Sequence, residues 1–161
     1  MKLRDPQRGL FESEAAAPAS RWHYGAAIDY LGSALRLKLD TDYRQAMREG
    51  DVLHLPLPPD ASMRQIQDAA ESWLRREAEV LFSRMVANEI AGKTERLACK
   101  TPTLTLSFSL RGSWTKVEDH VLRLNWRLIE QPLSVIDLTL RRAVAMLPLQ
   151  QDAPDLFSLA S

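Results

Sequence analysis

Three polar residues, Arg123, Asn125 and Arg127, alternate with apolar ones across residues 122–128. In a β-strand this spacing places all three side chains on the same face of the sheet. Guanidinium and amide groups on one face could line a cleft and hydrogen-bond a peptide, but they would also suit the solvated side of a half-covered sheet. The residues alone leave both interpretations open.

The other residue types that commonly do chemistry lack a suitable spacing. The three histidines lie in separate segments without the spacing of metal ligands: His23, His54 and His120. Cys99 is the single cysteine, so it cannot form an internal disulfide, and no histidine is placed by sequence to activate it. Ser107 and Ser109 alternate along a predicted strand and carry no signature of a nucleophile. We therefore predict neither a metal site nor a catalytic nucleophile from these residues.

Arg141 and Arg142 are adjacent cations near the end of a predicted helix. They could bind phosphate, but basic residues near a helix C-terminus more commonly complement the helix dipole. The chain as a whole adds no attraction for anions, because 21 Lys and Arg residues balance 21 Asp and Glu residues. Its net charge therefore indicates no nucleic acid or anionic membrane as a partner.

The length of 161 residues, with 45% hydrophobic and 26% charged residues, is typical of a globular domain. Residues 1–20 are charged, lack the apolar core of a signal peptide and end in AAAPAS, so we predict a flexible leader there. Residues 21–161 are then expected to form one domain. The single cysteine and the lack of a signal peptide indicate a cytoplasmic protein. No apolar run approaches the roughly 20 residues that cross a bilayer, so we predict no membrane segment.

Alternating apolar residues predict three strands in the first part of the chain. Residues 28–30 and 35–39 alternate on either side of Gly32 and Ser33, which favours a hairpin with a tight turn. A third alternation covers residues 53–57 and stops at two prolines, where the missing amide donors end strand pairing.

A long helix follows these strands, and two further strands lead into a second helix. Ser62 and Gln65 match a capping box, and apolar residues then recur at helical spacing up to Gly92. Residues 104–110 and 122–128 alternate as strands do. Pro132 suits a first helical turn, and the residues after it continue without Gly or Pro to Leu147. The sequence thus predicts an α+β fold in the order β-β-β-α-β-β-α.

Several short motifs occur in an order that resembles one protein family. They are YLG at residues 30–32, LPLPP at 55–59, SWLRREA at 72–78, RLNWRL at 123–128 and VID at 135–137. In this order they resemble the YgjP-like zinc metallopeptidases, which are zincins related to the SprT-like proteases, and the resemblance covers about residues 22–157. It implies a small zincin-like domain with a long helix and an active-site-type helix packed on a mixed sheet. It also implies that the strand before the second helix lines a peptide cleft.

The same resemblance implies a zinc site, and this chain lacks its residues. In the family, the helix after VID carries His-Glu-x-x-His, in which two histidines one turn apart bind zinc and the glutamate activates a water molecule. Counting without a gap from Asp137, the corresponding residues are Arg142, Ala143 and Met146, and the third ligand corresponds to Asp152. None of the four family residues is present, so we expect no metal and no cofactor.

The leading interpretation is a degenerate YgjP-like domain that is catalytically inactive. It either binds a peptide or protein, with the strand carrying Arg123, Asn125 and Arg127 as the candidate surface, or retains no activity at all. An extended peptide would then add beside that strand through main-chain hydrogen bonds. One alternative is an active metal-dependent hydrolase with a rearranged site. Another is a nucleic-acid-associated protein that uses Arg123, Arg127, Arg141 and Arg142. A decayed copy of a working protease gene is a further alternative, and the sequence indicates no oligomeric state.

A helix without its zinc needs other contacts to hold it in place. Apolar residues recur at helical spacing along it: Ile136, Leu140, Val144 and Leu147. Met146 is unbranched and suits irregular gaps, which favours the prediction that it is buried and fills the space that the metal would occupy. The alternative is that Met146 faces a solvent-filled cleft.

Overall fold

The computed structural model of the protein describes residues 22–93, 102–108 and 112–148. The chain divides into two compact units, the first ending at Trp73 and the second beginning at Leu74. The predicted leader, residues 1–20, lies outside the described residues, as do Cys99, Ser109 and Asp152.

The sheet of the first unit has four strands in the order β1-β2-β4-β3. Its strands are β1 Ala27–Tyr30, β2 Ser33–Leu39, β3 Met47–Glu49 and β4 Val52–Leu55. β2 and β4 run parallel, whereas β1 pairs antiparallel with β2 and β3 pairs antiparallel with β4. The sequence predicted three of these strands and missed β3, because its three residues are all exposed and give no apolar alternation.

The predicted hairpin is confirmed as β1 and β2, in which Tyr30 lies opposite Ser33. The two residues between the strands, Leu31 and Gly32, have φ angles of +50° and +78°. Positive φ at both turn positions gives the twist that a two-residue hairpin needs. The turn therefore sets the register that buries Ile28 against the neighbouring strand residue Leu35.

Helix α1, Met63–Ala91, begins at the predicted capping box. The Ser62 backbone N–H donates to Gln65 Oε1 at 2.9 Å, and the Gln65 N–H donates to Ser62 Oγ at 3.2 Å. In the first unit the helix buries Trp73, whose ring lies 5.1 Å from that of Tyr30. In the second unit its buried residues are Leu74, Ala78, Phe82 and Val86.

The second unit has a three-stranded sheet in the order β5-β7-β6. Its strands are β5 Thr103–Ser107, β6 Thr115–Glu118 and β7 Val121–Asn125. β7 is the central strand, parallel to β5 and antiparallel to β6. The sequence missed β6, because its four residues include two exposed charged side chains.

A 3₁₀ helix, Trp126–Glu130, and helix α2, Leu133–Ala145, follow β7. The predicted strand over residues 122–128 therefore ends three residues early. Asn125 ends it, because its side-chain oxygen accepts a hydrogen bond from the Arg127 N–H at 3.0 Å and caps the 3₁₀ helix. Pro132 precedes the first residue of α2, as predicted for a proline at a helix start.

The predicted α+β class is confirmed, since helices occur with sheets that contain both parallel and antiparallel pairs. The observed order has two strands more than the predicted one, and both additional strands lie at sheet edges. Among residues 22–93, 102–108 and 112–148, no helix is long and apolar enough to cross a membrane.

Candidate functional site

Helix α2 and its C-cap hold the three described residues that correspond to the catalytic motif: Arg142 and Ala143 lie within the helix and Met146 caps its C-terminus. One face of the helix is buried and includes Ile136, Leu140 and Val144, with exposed fractions of 0–2%. Ala143 adjoins this face and is 1% exposed, whereas Arg142 is exposed and Met146 is 67% exposed. The helix thus places Arg142 and Met146 on its outer side and Ala143 in the core of the second unit.

These side chains do not fit a zinc ion. The Arg142 guanidinium is always protonated and has no lone pair to donate, and the Met146 thioether prefers softer metals. The methyl group of Ala143 cannot accept a proton from a water molecule. In the described ranges, no group of three or more His, Cys, Asp and Glu side chains could hold a metal ion. Asp152, the fourth corresponding position, lies outside those ranges.

The prediction that Met146 is buried and fills the former metal position is wrong. Its side chain follows the last turn of α2 on the outer side, so it packs into no gap in the core. The predicted apolar stripe is confirmed without it, because Ile136, Leu140, Val144 and Leu147 are all buried. Burial of that stripe, rather than of Met146, holds α2 against the rest of the second unit.

The three polar residues predicted on one strand face lie in two different elements. Arg123 is exposed on β7, and Asn125, at the end of β7, is 7% exposed and serves as the cap of the 3₁₀ helix. Arg127 lies within that 3₁₀ helix, with its guanidinium 5.6 Å from the centre of the Trp126 ring. The prediction of one continuous row along a strand is therefore wrong, because the strand ends at Asn125.

A peptide cannot add beside β7, because both sides of this strand are already paired. β5 bonds to one side and β6 to the other, so the predicted main-chain addition at β7 is wrong. Within the described part of the second unit, the outer edges of the sheet belong to β5 and β6. Helix α2 contacts β6. Of the strands in this sheet, β6 is thus an edge strand that is in contact with the helix carrying Arg142.

The hydrogen-bond pattern shows which residues of β6 have main-chain groups directed away from β7. The Asn125 N–H donates to the Trp114 carbonyl at 2.8 Å. Opposite residues in an antiparallel pair alternate between bonded and non-bonded positions. With Thr115 opposite Leu124 and Val117 opposite Leu122, the backbone N–H and C=O groups of Thr115 and Val117 point to the outer edge. Sequence analysis missed these two residues, although their alternation with Lys116 and Glu118 is a short strand signal.

Two cations face each other on the solvent side of this sheet. Lys116 on β6 lies directly opposite Arg123 on β7, a pairing of like charges that destabilises a sheet. Glu118 offsets this repulsion, because its carboxylate lies 2.6 Å from Lys116 Nζ. The hydrogen bond and charge of Lys116 lower the pKa of Glu118, and the charge of Arg123 lowers it further.

The four arginines of the nucleic-acid alternative do not form one set of free cations. Arg141 lies 3.1 Å from Asp137 and 3.7 Å from Glu89, so acidic neighbours offset its charge. Arg127 stacks on Trp126, whose ring also lies 5.2 Å from the Arg75 guanidinium. Arg142 makes no ion pair with any residue of the described part and, like Arg123, is exposed.

The three histidines lie on separate elements or loops, as the sequence predicted. His54 is buried in the first unit, with its ring nitrogens 3.6 Å from Asp40 and from Glu49, too far for hydrogen bonds. The Tyr43 ring stacks on it at 4.4 Å, and the Tyr43 hydroxyl donates to Glu49 at 2.8 Å. That hydrogen bond raises the pKa of Tyr43, with smaller contributions from burial and the neighbouring carboxylates. His23 precedes β1, and His120 lies in the turn between β6 and β7.

A match to a known protein family covers most of these elements. A family model described as YgjP-like, metallopeptidase domain, matches residues 6–139, which is more than half of the chain. The match includes β6, β7 and the first part of α2, and it ends before Arg142. No curated protein and no solved structure gives a significant match. The chain belongs to the YgjP-like metallopeptidase-domain family.

Proposed function

We propose that this chain is a YgjP-like domain without peptidase activity that binds an extended peptide along the outer edge of β6. The observation that carries the proposal is the set of side chains on α2. Arg142 and Met146 are poor zinc ligands, and Ala143 carries no group that could act as a base. General-base assistance alone is typically worth about 10²–10⁴-fold in rate, and no described residue on this part of α2 supplies it.

The edge of β6 supports the peptide-binding part of the proposal. Thr115 and Val117 direct main-chain donors and acceptors away from β7, which is what an added strand needs. β6 has only four residues, so the main-chain contact is short and side chains must contribute part of the affinity. Trp114, just before β6 and 40% exposed, offers an aromatic surface for that contribution.

Replacing Val117 tests this edge without touching the pairing of β6 with β7. Val117→Pro removes an outward N–H, and proline is tolerated at a sheet edge. Val117→Ala is the matched control, because it shortens the same side chain and keeps the N–H. The probe is an array of unlabelled peptides of about ten residues, from which the best binder is labelled for fluorescence anisotropy. We expect the wild-type protein and Val117→Ala to bind it and Val117→Pro to lose binding while remaining folded by circular dichroism.

Two results would contradict the peptide site: no peptide in the array binds, or Val117→Pro binds as tightly as Val117→Ala. The inactivity is tested separately by incubating the bound peptides with the protein and zinc and analysing them by mass spectrometry. We expect no cleavage, far less than one equivalent of bound zinc and no rise in melting temperature on adding zinc. Cleavage that a chelator abolishes would favour the rearranged hydrolase instead.

A further inference from the structure

The solvent-exposed face of the β6-β7 pair carries more positive than negative charge. Lys116 and Arg123 lie directly opposite each other on this face, and Glu118 is the acidic strand residue beside them. The Glu118 carboxylate contacts Lys116 Nζ at 2.6 Å and also interacts with the charge of Arg123. Because one carboxylate is shared by two cations, one positive charge on these two strands is left unmatched.

A peptide paired with the outer edge of β6 would place one of its side chains beside Lys116. The main-chain groups of Thr115 and Val117 point to that edge, so in an antiparallel pairing the peptide residues opposite these two are the hydrogen-bonded ones. The peptide residue between them then lies opposite Lys116 at a non-bonded position. At such positions the Cα atoms are about 4.5 Å apart and the side chains approach most closely. Antiparallel pairing is also slightly more stable for each residue, which favours it for a strand as short as β6.

The two sides of the added strand would meet different surfaces. Thr115 and Val117 are half-buried and share their face with the buried residues Leu124 and Leu122, which lie opposite them. Apolar peptide side chains opposite Thr115 and Val117 would extend this apolar face. The side chain between them points to the solvent-exposed face, where a carboxylate would match the remaining positive charge. A lysine at that position would face Lys116, and like charges directly opposite each other destabilise a pair of strands.

We propose that the edge of β6 selects extended peptides with an acidic residue between two apolar ones, and that Lys116 recognises the acidic side chain. This inference rests on the peptide site proposed above and adds the class of peptide that it binds. The peptide carboxylate and Glu118 together then balance Lys116 and Arg123, two acids for two bases. Exposed ion pairs contribute little free energy, so we expect the acidic residue to improve binding roughly two- to fivefold.

Three peptides of about ten residues test this preference directly. They differ only in the residue between two valines, which is Glu, Gln or Lys, and each carries the same fluorescent label. We expect the wild-type protein to bind the Glu peptide roughly two- to fivefold more tightly than the Gln peptide and the Lys peptide most weakly, measured by fluorescence anisotropy at low ionic strength. Added salt should narrow these differences, because it screens exposed charges. Equal affinities for the three peptides, or no binding of any of them, would overturn the proposal.

Substitutions of opposite sign then assign the preference to Lys116. Lys116→Gln should abolish the difference between the Glu and Gln peptides, whereas Glu118→Gln should enlarge it, because that variant leaves both cations without their acidic partner. Arg76→Gln is the matched control, since it removes a cation from an exposed position on α1 and should leave the preference unchanged. An unchanged preference in Lys116→Gln, or an equal loss in Arg76→Gln, would show that Lys116 does not recognise the acidic side chain. All variants are compared only while folded by circular dichroism.

Failure of this proposal can be told apart from failure of the peptide site itself. If the peptide array yields a binder that Val117→Pro loses, but the Glu, Gln and Lys peptides bind equally, the site stands and only the acidic preference is wrong. If neither the array nor these three peptides give any binding, both proposals are wrong.

Discussion

Ala143 lies in the core of the second unit, so a carboxylate cannot simply be restored at this position. We expect Ala143→Glu to lower the free energy of unfolding by at least roughly 1–3 kcal/mol, the usual cost of overpacking a core, with a further cost for burying an unpaired polar group. The measurement is the urea midpoint of the variant against that of the wild-type protein.

Ala145→Glu serves as the control for this change, because Ala145 is exposed on the same helix and accepts the same side chain in solvent. Its effect should stay within about 0.5 kcal/mol, as for most surface substitutions. Similar losses in both variants would mean that reduced helix stability, rather than burial at Ala143, is responsible.

Arg142 and Met146 lie one turn apart on the exposed side of α2, which makes the pair suitable for two introduced ligands. The double variant Arg142→His/Met146→His should bind zinc, because imidazoles at this spacing share one helix face. Addition of zinc should then raise its melting temperature, whereas either single variant should respond little. Because Met146 is exposed, Met146→His alone should change stability by no more than about 0.5 kcal/mol. An equal response to zinc from one single variant would show that another group supplies the second ligand.

At the scale of elements, the pairing of β6 with β7 depends on how charge is arranged across the two strands. Lys116 faces Arg123, and Glu118 supplies the compensating charge. The pKa of Glu118 is lower in the folded protein than its usual value, so its carboxylate stabilises the fold at neutral pH. This stabilisation is lost as the pH falls through that lowered pKa.

Glu118→Gln should therefore be less stable than the wild-type protein near pH 7, and the difference should shrink as the pH falls through the lowered pKa of Glu118 and its carboxylate becomes protonated. Urea midpoints at a series of pH values measure the effect, which is small because the pair is exposed. Asp119→Asn removes a charge from the next residue, which makes no ion pair among the described residues, and it serves as the control. A difference between Glu118→Gln and the wild-type protein that did not depend on pH would contradict this account.

Elements that are determined by residues close together in the chain could be predicted. Elements that depend on pairing or packing with other elements could not. The hairpin of β1 and β2, the capping box at Ser62 and the buried stripe of α2 each follow from residues close together in the chain. β3 was missed because its three residues are all exposed, and β6 was missed because its alternation covers only four residues with a single large apolar one, Val117. The length of β7 was overestimated because alternation continues through Trp126 and Leu128, while the Asn125 side chain begins a 3₁₀ helix.

The candidate site was predicted in part for the same reason. The ungapped count from Asp137 placed Arg142, Ala143 and Met146 on one helix; the structure has Arg142 and Ala143 within α2 and Met146 as the residue that caps its C-terminus. Which of these residues is buried depends on which face of α2 packs against the rest of the second unit. The sequence pattern predicted a buried Met146, and this prediction is wrong. The central position of β7 was also beyond prediction, because it is set by the pairing of β5 and β6 on its two sides.

At the scale of the whole molecule, each sheet is assembled from a short stretch of sequence. In the part of the chain that the structure describes, the strands of the first sheet lie within residues 27–55 and those of the second within residues 103–125. Even the parallel pairs are local, since Arg36 and Val52 are 16 residues apart and Thr103 and Val121 are 18 residues apart. Closing such short loops costs little entropy, and proteins rich in local contacts fold quickly.

This arrangement has a consequence for synthesis on the ribosome, where the chain emerges from its N-terminus. All four strands of the first sheet and the α1 residues of the first unit, up to Trp73, emerge before Thr103, the first residue of β5. The first unit can therefore begin to bury Ile28, Leu37 and Leu53 while the second is still being translated. Nascent chains stalled after β5 should then already protect the amide groups of β2 and β4 from hydrogen exchange.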